Sequence, residues 1–132
     1  MPMVRTEYSA EHAAAIRLPS GTAVPALAPD TGEGASSYPS DLLAAAVLSS
    51  MLTAVSQEAA RQHLQPGQVS GEAEAHAEAS PARIGALRIS LHFGGHRLDE
   101  NGKLLLEQAA MRCPVTRSLH PELVVHVRFG YD

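Results

Sequence analysis

The stretch Ser40-Asp41-Leu42-Leu43-Ala44-Ala45-Ala46-Val47-Leu48-Ser49-Ser50-Met51-Leu52-Thr53-Ala54-Val55 decides the fold. Ser37-Tyr38-Pro39-Ser40-Asp41 puts a Ser cap and an acidic residue at its start, so the Ala/Leu-rich run reads as one helix reaching about His63. The run is apolar nearly all round through Val55, the profile of a helix buried on most of its faces. Its second half, Gln57-Glu58-Ala59-Ala60-Arg61-Gln62, turns polar, and Pro66-Gly67 is its expected end.

Downstream the period changes from helical to two. From Gln68 to Ala79 the even positions are Gln, Ser, Glu or His and the odd ones Val, Gly or Ala, which predicts a half-buried strand with an inner face of almost nothing but Ala. So small a face lets a helix lie close on the sheet. Pro81 breaks the run. Leu87, Ile89, Leu91 and Phe93 then alternate with Arg88, Ser90 and His92 as a hairpin partner, placing Arg88 and His92 within reach of carboxylates opposite. A second helix is expected after Asp99-Glu100, from about Gly102 to Arg112, with Leu105, Ala109 and Cys113 sharing a face with Leu106 and Ala110. Leu123, Val125, Val127 and Phe129 alternate against Val124, His126 and Arg128 as a last strand.

Upstream, Met1 to Pro39 carries four prolines beyond Pro2 together with Gly21, Gly32 and Gly34, too much punctuation for helices. Short strands over Val4–Tyr8, His12–Leu18 and Thr22–Leu27 are expected, with Pro19-Ser20-Gly21 turning between the last two. The element order is strands, long buried helix, hairpin, helix, strand. It predicts an α+β fold with helices on one face of an antiparallel sheet.

Composition bounds the function. With 132 residues, one domain over 1–132 is expected, and 45% apolar with 18% charged residues fits a folded protein. Only 4% of residues are aromatic, so the core must be aliphatic and thin, which favours a homodimer. A formal charge of −4 with scattered Lys and Arg argues against nucleic acid. The longest apolar run, Leu42 to Val55, is interrupted by Ser49, Ser50 and Thr53, and the start lacks an apolar leader segment, so no membrane role is expected and the location is read as cytoplasmic. The sequence holds one cysteine, Cys113, which excludes a disulfide within it. Seven histidines invite a metal reading, but Gly94-Gly95 between His92 and His96 makes a turn, and the others read as solvated imidazoles; no metal and no cofactor is expected.

Cys113-Pro114-Val115-Thr116-Arg117-Ser118-Leu119 is the stretch richest in chemistry. Pro114 should end the second helix at Cys113 and open a short new one, leaving Cys113 near its N-cap with Arg112 and Arg117 beside it. Helix N–H groups and cations there would stabilise a thiolate. The alternative is a buried inert cysteine on the apolar stripe with Leu105 and Ala109.

Cys113-Pro114-Val115-Thr116-Arg117 resembles the Cys-Pro-Val-Ser-Arg/Gln signature of the OsmC/Ohr family, the osmotically induced and organic-hydroperoxide-resistance proteins. Ser37-Tyr38-Pro39-Ser40-Asp41-Leu42-Leu43-Ala44-Ala45-Ala46 is similar to that family's Asn-Pro-Glu-x-Leu-x-Ala-Ala stretch, and Gly32-Glu33-Gly34 matches the loop before it. The resemblance covers roughly Gly32 to Phe129. It implies an OsmC-like antiparallel sheet packed on two central helices in an intertwined homodimer. It also implies thiol-dependent reduction of organic hydroperoxides, in which one Cys attacks the peroxide and a second resolves it as a disulfide.

Here the first of those positions falls on Ser50, whose hydroxyl cannot replace the thiol, and the second on Cys113. Ser40 stands where the family has a Glu, with Asp41 one residue out of phase, and the family's Arg corresponds to Arg5 or Arg17 without a clear choice. The resemblance thus implies Cys113 and Ser50 as the catalytic positions, with Ser40, Asp41, Leu43, Val47, Met51 and Arg117 as candidates to line the pocket. Two functions stay open. One is a weak one-cysteine peroxidase that uses Cys113 and an external thiol reductant. The other is a non-catalytic dimer that binds a small apolar ligand or senses through its thiol.

Overall fold

The computed structural model describes residues 3–6, 15–25, 39–79 and 82–132. The chain forms two compact units, Met1–Leu42 and Leu43–Asp132. In the first, β1 (Ala15–Arg17) and β2 (Ala23–Pro25) pair antiparallel, Arg17 opposite Ala23. The turn falls where Pro19-Ser20-Gly21 predicts it, closed by Gly21 N–H donating to Leu18 O at 2.9 Å, and Gly21 takes φ +92°. Arg5 adds an antiparallel bridge to Arg17. The remainder of the expected early strands, Glu7–Tyr8, His12–Ala14 and Ala26–Leu27, and the Ser37 cap lie outside the described residues.

Helix α1 (Pro39–Arg61) buries Ala44, Val47, Met51, Val55 and Ala59, a stripe at helical spacing. By length and composition alone it could cross a bilayer, despite the interruptions at Ser49, Ser50 and Thr53. The stripe instead packs in the core, so this is the helix the sheet is built around. It ends before Pro66-Gly67. Leu64 N–H donates to Ala59 O at 2.8 Å and His63 N–H to Ala60 O at 3.3 Å, while His63 takes φ 55°. That pairing is a Schellman cap with His at the left-handed position that glycine favours.

Strands β3 (Gln68–Ala79) and β4 (Ala82–Gly94) form the expected antiparallel hairpin, with Glu74 opposite Arg88 and Ser70 opposite His92. The alternation of β3 holds up to a bulge at His76/Ala77, beyond which Ala77 is exposed. Arg88 and His92 do not take the carboxylates across the hairpin. The Glu74 carboxylate is engaged by His76 at 3.0 Å, and His92 pairs with Asp132 at 2.9 Å.

Strand β5 (Val124–Tyr131) corrects the expected sheet. It lies beside β4 but parallel to it, Leu87 opposite Val125 and Leu91 opposite Phe129, so the sheet β3-β4-β5 is mixed rather than antiparallel. The cause is the connection: residues 95–123 carry two helices, a crossover long enough to return the chain to the end of the sheet from which β4 started. The α+β class stands, with the core formed on one sheet face.

Helix α2 (Glu100–Met111) starts two residues earlier than expected, because Asp99 is its cap and accepts from Gly102 N–H at 2.7 Å. Its buried stripe is Gly102, Leu106, Ala110 and then Cys113, with Leu105 and Ala109 only half-buried beside it. Leu87, Ile89, Leu91 and Phe93 meet this stripe and that of α1 in a single cluster. Gly71 on β3 allows close packing: a Cβ there would lie 2.6 Å from Leu48 Cδ1 of α1. Tyr131 ties β5 to α2. It stacks on Phe93 with centroids 5.0 Å apart, lies under Lys103 Nζ at 4.7 Å, and donates to Glu107 Oε2 at 2.5 Å. Burial first, and then the Glu107 carboxylate, push its phenol pKa up.

Candidate active site

Pro114 acts as its lack of an N–H requires. It closes α2 and opens α3 (Pro114–Arg117), placing Cys113 at the N-cap with φ −61° and ψ 145°. Cys113 is fully buried, and its Sγ lies 3.0 Å from Thr116 Oγ1. Burial sits with the inert-core reading of this thiol, while the N-cap position and the hydroxyl neighbour sit with the reactive one.

Beside Cys113 is a hollow of about 500 Å³ between α1 and α2. Each helix contributes residues at spacing i, i+3, i+4, i+7: Ala54, Gln57, Glu58 and Arg61 from α1, and Leu105, Gln108, Ala109 and Arg112 from α2. Cys113 and Pro114 complete the wall. Ala54, Leu105, Ala109 and Pro114 are the apolar part of the lining, and Arg61, Arg112, Glu58 and two glutamines the polar part. Arg61 grips Glu58 through two nitrogens, Nε to Oε2 at 3.0 Å and Nη2 to Oε1 at 2.6 Å. Those bonds, then the Gln62 amide, and at longer range Arg112, hold the Glu58 carboxyl below the usual carboxylate range against a smaller effect of burial. The site can therefore hold an apolar group next to a thiol, with charged side chains in the same lining.

Of the residues expected at the site, Cys113 is on this wall. Ser50 is half-buried on α1, one turn before Ala54 on the same face, about 6 Å along the axis. Val47 and Met51, expected to line the pocket, are instead fully buried in the core stripe. Leu43 is half-buried on α1 and Arg117 exposed at the end of α3, neither on this wall. Ser40 and Asp41 stand in the first turn of α1 and belong to the first unit, which also holds Arg5 and Arg17, both exposed. Sequence reading missed Gln57, Glu58, Arg61 and Gln108. The repeated i, i+3, i+4, i+7 spacing, small or apolar at one end and Arg at the other, was the signal that could have found them. Among the described residues no three His, Cys, Asp or Glu side chains come together as metal ligands would.

The family model described as OsmC-like protein matches residues 32–128. No curated protein matches the chain. Among solved structures, a protein of Psychrobacter arcticus 273-4, described provisionally as an osmotic stress induced and detoxification response protein, is 25% identical, with TM-score 0.86 over 98% of this chain and 96% of that one. An organic hydroperoxide resistance protein OsmC of Legionella pneumophila shares the fold at 21% identity and TM-score 0.67, covering 98% of this chain and 96% of that one. The organic hydroperoxide resistance protein OhrB of Bacillus subtilis does so at 18% and 0.70, covering 98% and 97%. Two motifs around two central helices, the mixed sheet behind them and a family match over residues 32–128 lead to one conclusion: this chain belongs to the OsmC-like protein family.

Proposed function

We propose that this protein is an OsmC/Ohr-type stress-response protein, related to thiol-dependent organic hydroperoxide reductases, in which the two-cysteine mechanism is broken. One observation carries the reading: Cys113 is the sole cysteine, so no disulfide can be closed within the subunit, and it sits against a pocket lined in part by apolar residues. Ser50 takes the position of the attacking thiol and cannot do its work, because a serine hydroxyl is not ionised near neutral pH. What thiol chemistry remains belongs to Cys113. Its thiolate would attack an organic hydroperoxide, ROOH, releasing the alcohol ROH after protonation and leaving the sulfenic acid. An external thiol then displaces water to give a mixed disulfide, and a second one releases Cys113 and an external disulfide.

Complete burial of Cys113 favours slow turnover and gives weight to the second reading, a binding or thiol-sensing dimer on the same fold. An uncovered groove along α1, lined by Ala45, Leu48 and Leu52 with Ser49, Thr53 and Ser56, supports the homodimer, since it exposes apolar surface that a partner copy would bury. A cytoplasmic location and an external thiol as reductant are part of the proposal. Its test is consumption of cumene hydroperoxide with a dithiol reductant by wild type and Cys113→Ser. Slow consumption lost in Cys113→Ser supports the one-cysteine enzyme, and none in either supports the binding module. Rapid consumption that survives Cys113→Ser contradicts both.

A further inference from the structure

The three-stranded sheet turns a polar face away from the core, and that face carries a hollow of about 510 Å³. Charge is sorted across it by strand. Glu72 and Glu74 stand on β3, Arg88 and Ser90 on β4, and His126 and Arg128 on β5. The register makes two rows, Glu74–Arg88–His126 and Glu72–Ser90–Arg128. Arg88 and Arg128 are therefore diagonal neighbours on one face, about 7 Å apart at the backbone, with the Ser90 hydroxyl beside both.

Two arginines elsewhere use nearby carboxylates: Arg61 takes Glu58, and Arg83 bridges Glu78 at 2.8 Å and Glu122 at 3.1 Å. Arg88 and Arg128 do not. Among the described residues neither forms an ion pair, although Arg88 stands directly across from Glu74, whose carboxylate is engaged by His76. Two guanidinium groups with five N–H donors each, a hydroxyl and an imidazole thus face one hollow, with no partner for their donors among the described residues.

We propose that the β4–β5 half of this outer face binds a small tetrahedral dianion of the phosphoryl type, held between Arg88 and Arg128 with Ser90 donating from below. The choice of a dianion follows from charge complementarity: planar guanidinium forks match oxyanions bidentately, and one doubly charged group satisfies both. Glu72 and Glu74 on β3 bound the site and confine the ligand to the basic strands. The hollow is on the sheet face opposite the core, separate from the Cys113 pocket, so it does not depend on any peroxidase activity.

The test is titration of the full chain with inorganic phosphate and, in a parallel arm, glycerol 3-phosphate, followed by backbone amide shifts of residues 88–90 and 126–128. Saturable shifts confined to these strands are expected, and the tighter of the two ligands tells a free ion from a phosphate ester. Arg88→Gln or Arg128→Gln should weaken binding about tenfold, the equivalent of one charge-assisted contact. Glu72→Gln should strengthen it by removing a flanking negative charge. The side chains are exposed, so these variants should fold, as an unchanged amide spectrum away from the site would confirm. The proposal is overturned by absence of shifts at millimolar ligand, by binding that both Arg variants leave unchanged, or by weaker binding in Glu72→Gln.

Discussion

Replacing Gly71 by Ala tests how closely α1 lies on the sheet. The new Cβ would meet Leu48 Cδ1 at 2.6 Å, Leu91 Cδ2 at 2.9 Å and the Ser90 carbonyl oxygen at 3.1 Å. Carbon atoms at rest are about 3.5–4.0 Å apart, so the two leucines must retreat by roughly 0.6–1.4 Å. Leu48 is half-buried and can swing, whereas Leu91 is buried in the core and the Ser90 carbonyl belongs to the paired backbone. Relief of backbone entropy on replacing glycine in a strand contributes about 0.5–1 kcal/mol, and overpacking costs about 1–3 kcal/mol. The net is a loss of about 1–2 kcal/mol, or roughly 5–10 °C in Tm for a domain near 100 residues. Gly94→Ala on the same hairpin is the control, because its Cβ would meet nothing nearer than Gln68 O at 3.7 Å. Urea and thermal unfolding followed by circular dichroism measure both. If Gly71→Ala matches the wild type, or the two variants lose the same stability, the close helix–sheet contact is refuted. Leu48→Ala should recover part of the loss in Gly71→Ala and none in Gly94→Ala.

His63→Gly should stabilise the protein by about 1 kcal/mol, since it relieves the left-handed backbone in the α1 cap; an unchanged or lower urea midpoint would count against the Schellman geometry. Tyr131 has a folded pKa raised above the ordinary value near 10, so its contribution is full below that pH and is lost as pH rises beyond it. Tyr131→Phe should therefore flatten the alkaline fall in stability, and an equally steep fall in both proteins would remove Tyr131 as its source. Native Cys113 should be alkylated more slowly than in urea because it is fully buried, and equal rates in the two conditions would contradict that burial.

The elements were legible where periodicity was long and unambiguous. The β3 boundaries, Gln68 and Ala79, can be read from alternation alone, and the break at Cys113-Pro114 from the chemistry of proline. Strand direction was not legible, because alternation on β5 fixes its inner face but says nothing of which way it runs beside β4. Only the path of the crossover decides that. The end of α1 falls close to the expected His63, but that a His takes the left-handed position of its cap carries no mark in sequence. At the site, motif resemblance drew attention to Val47 and Met51, but on a helix buried along one stripe those positions fill the core. The polar lining lies one face over, from Ala54 to Arg61.

The central proposal is that the chain keeps the family's framework with Ser50 standing where the attacking thiol would be. Organic hydroperoxide consumption by Ser50→Cys, with dithiol as reductant and wild type alongside, tests it most directly. Restoring the nucleophile on the face of α1 that leads to Ala54 and Cys113 should give turnover well above the wild type, and Cys113→Ser added to it should remove most of that gain by deleting the resolving partner. A Ser50→Cys protein that folds as the wild type does, yet consumes hydroperoxide no faster, would contradict the assignment of Ser50 to the lost thiol position.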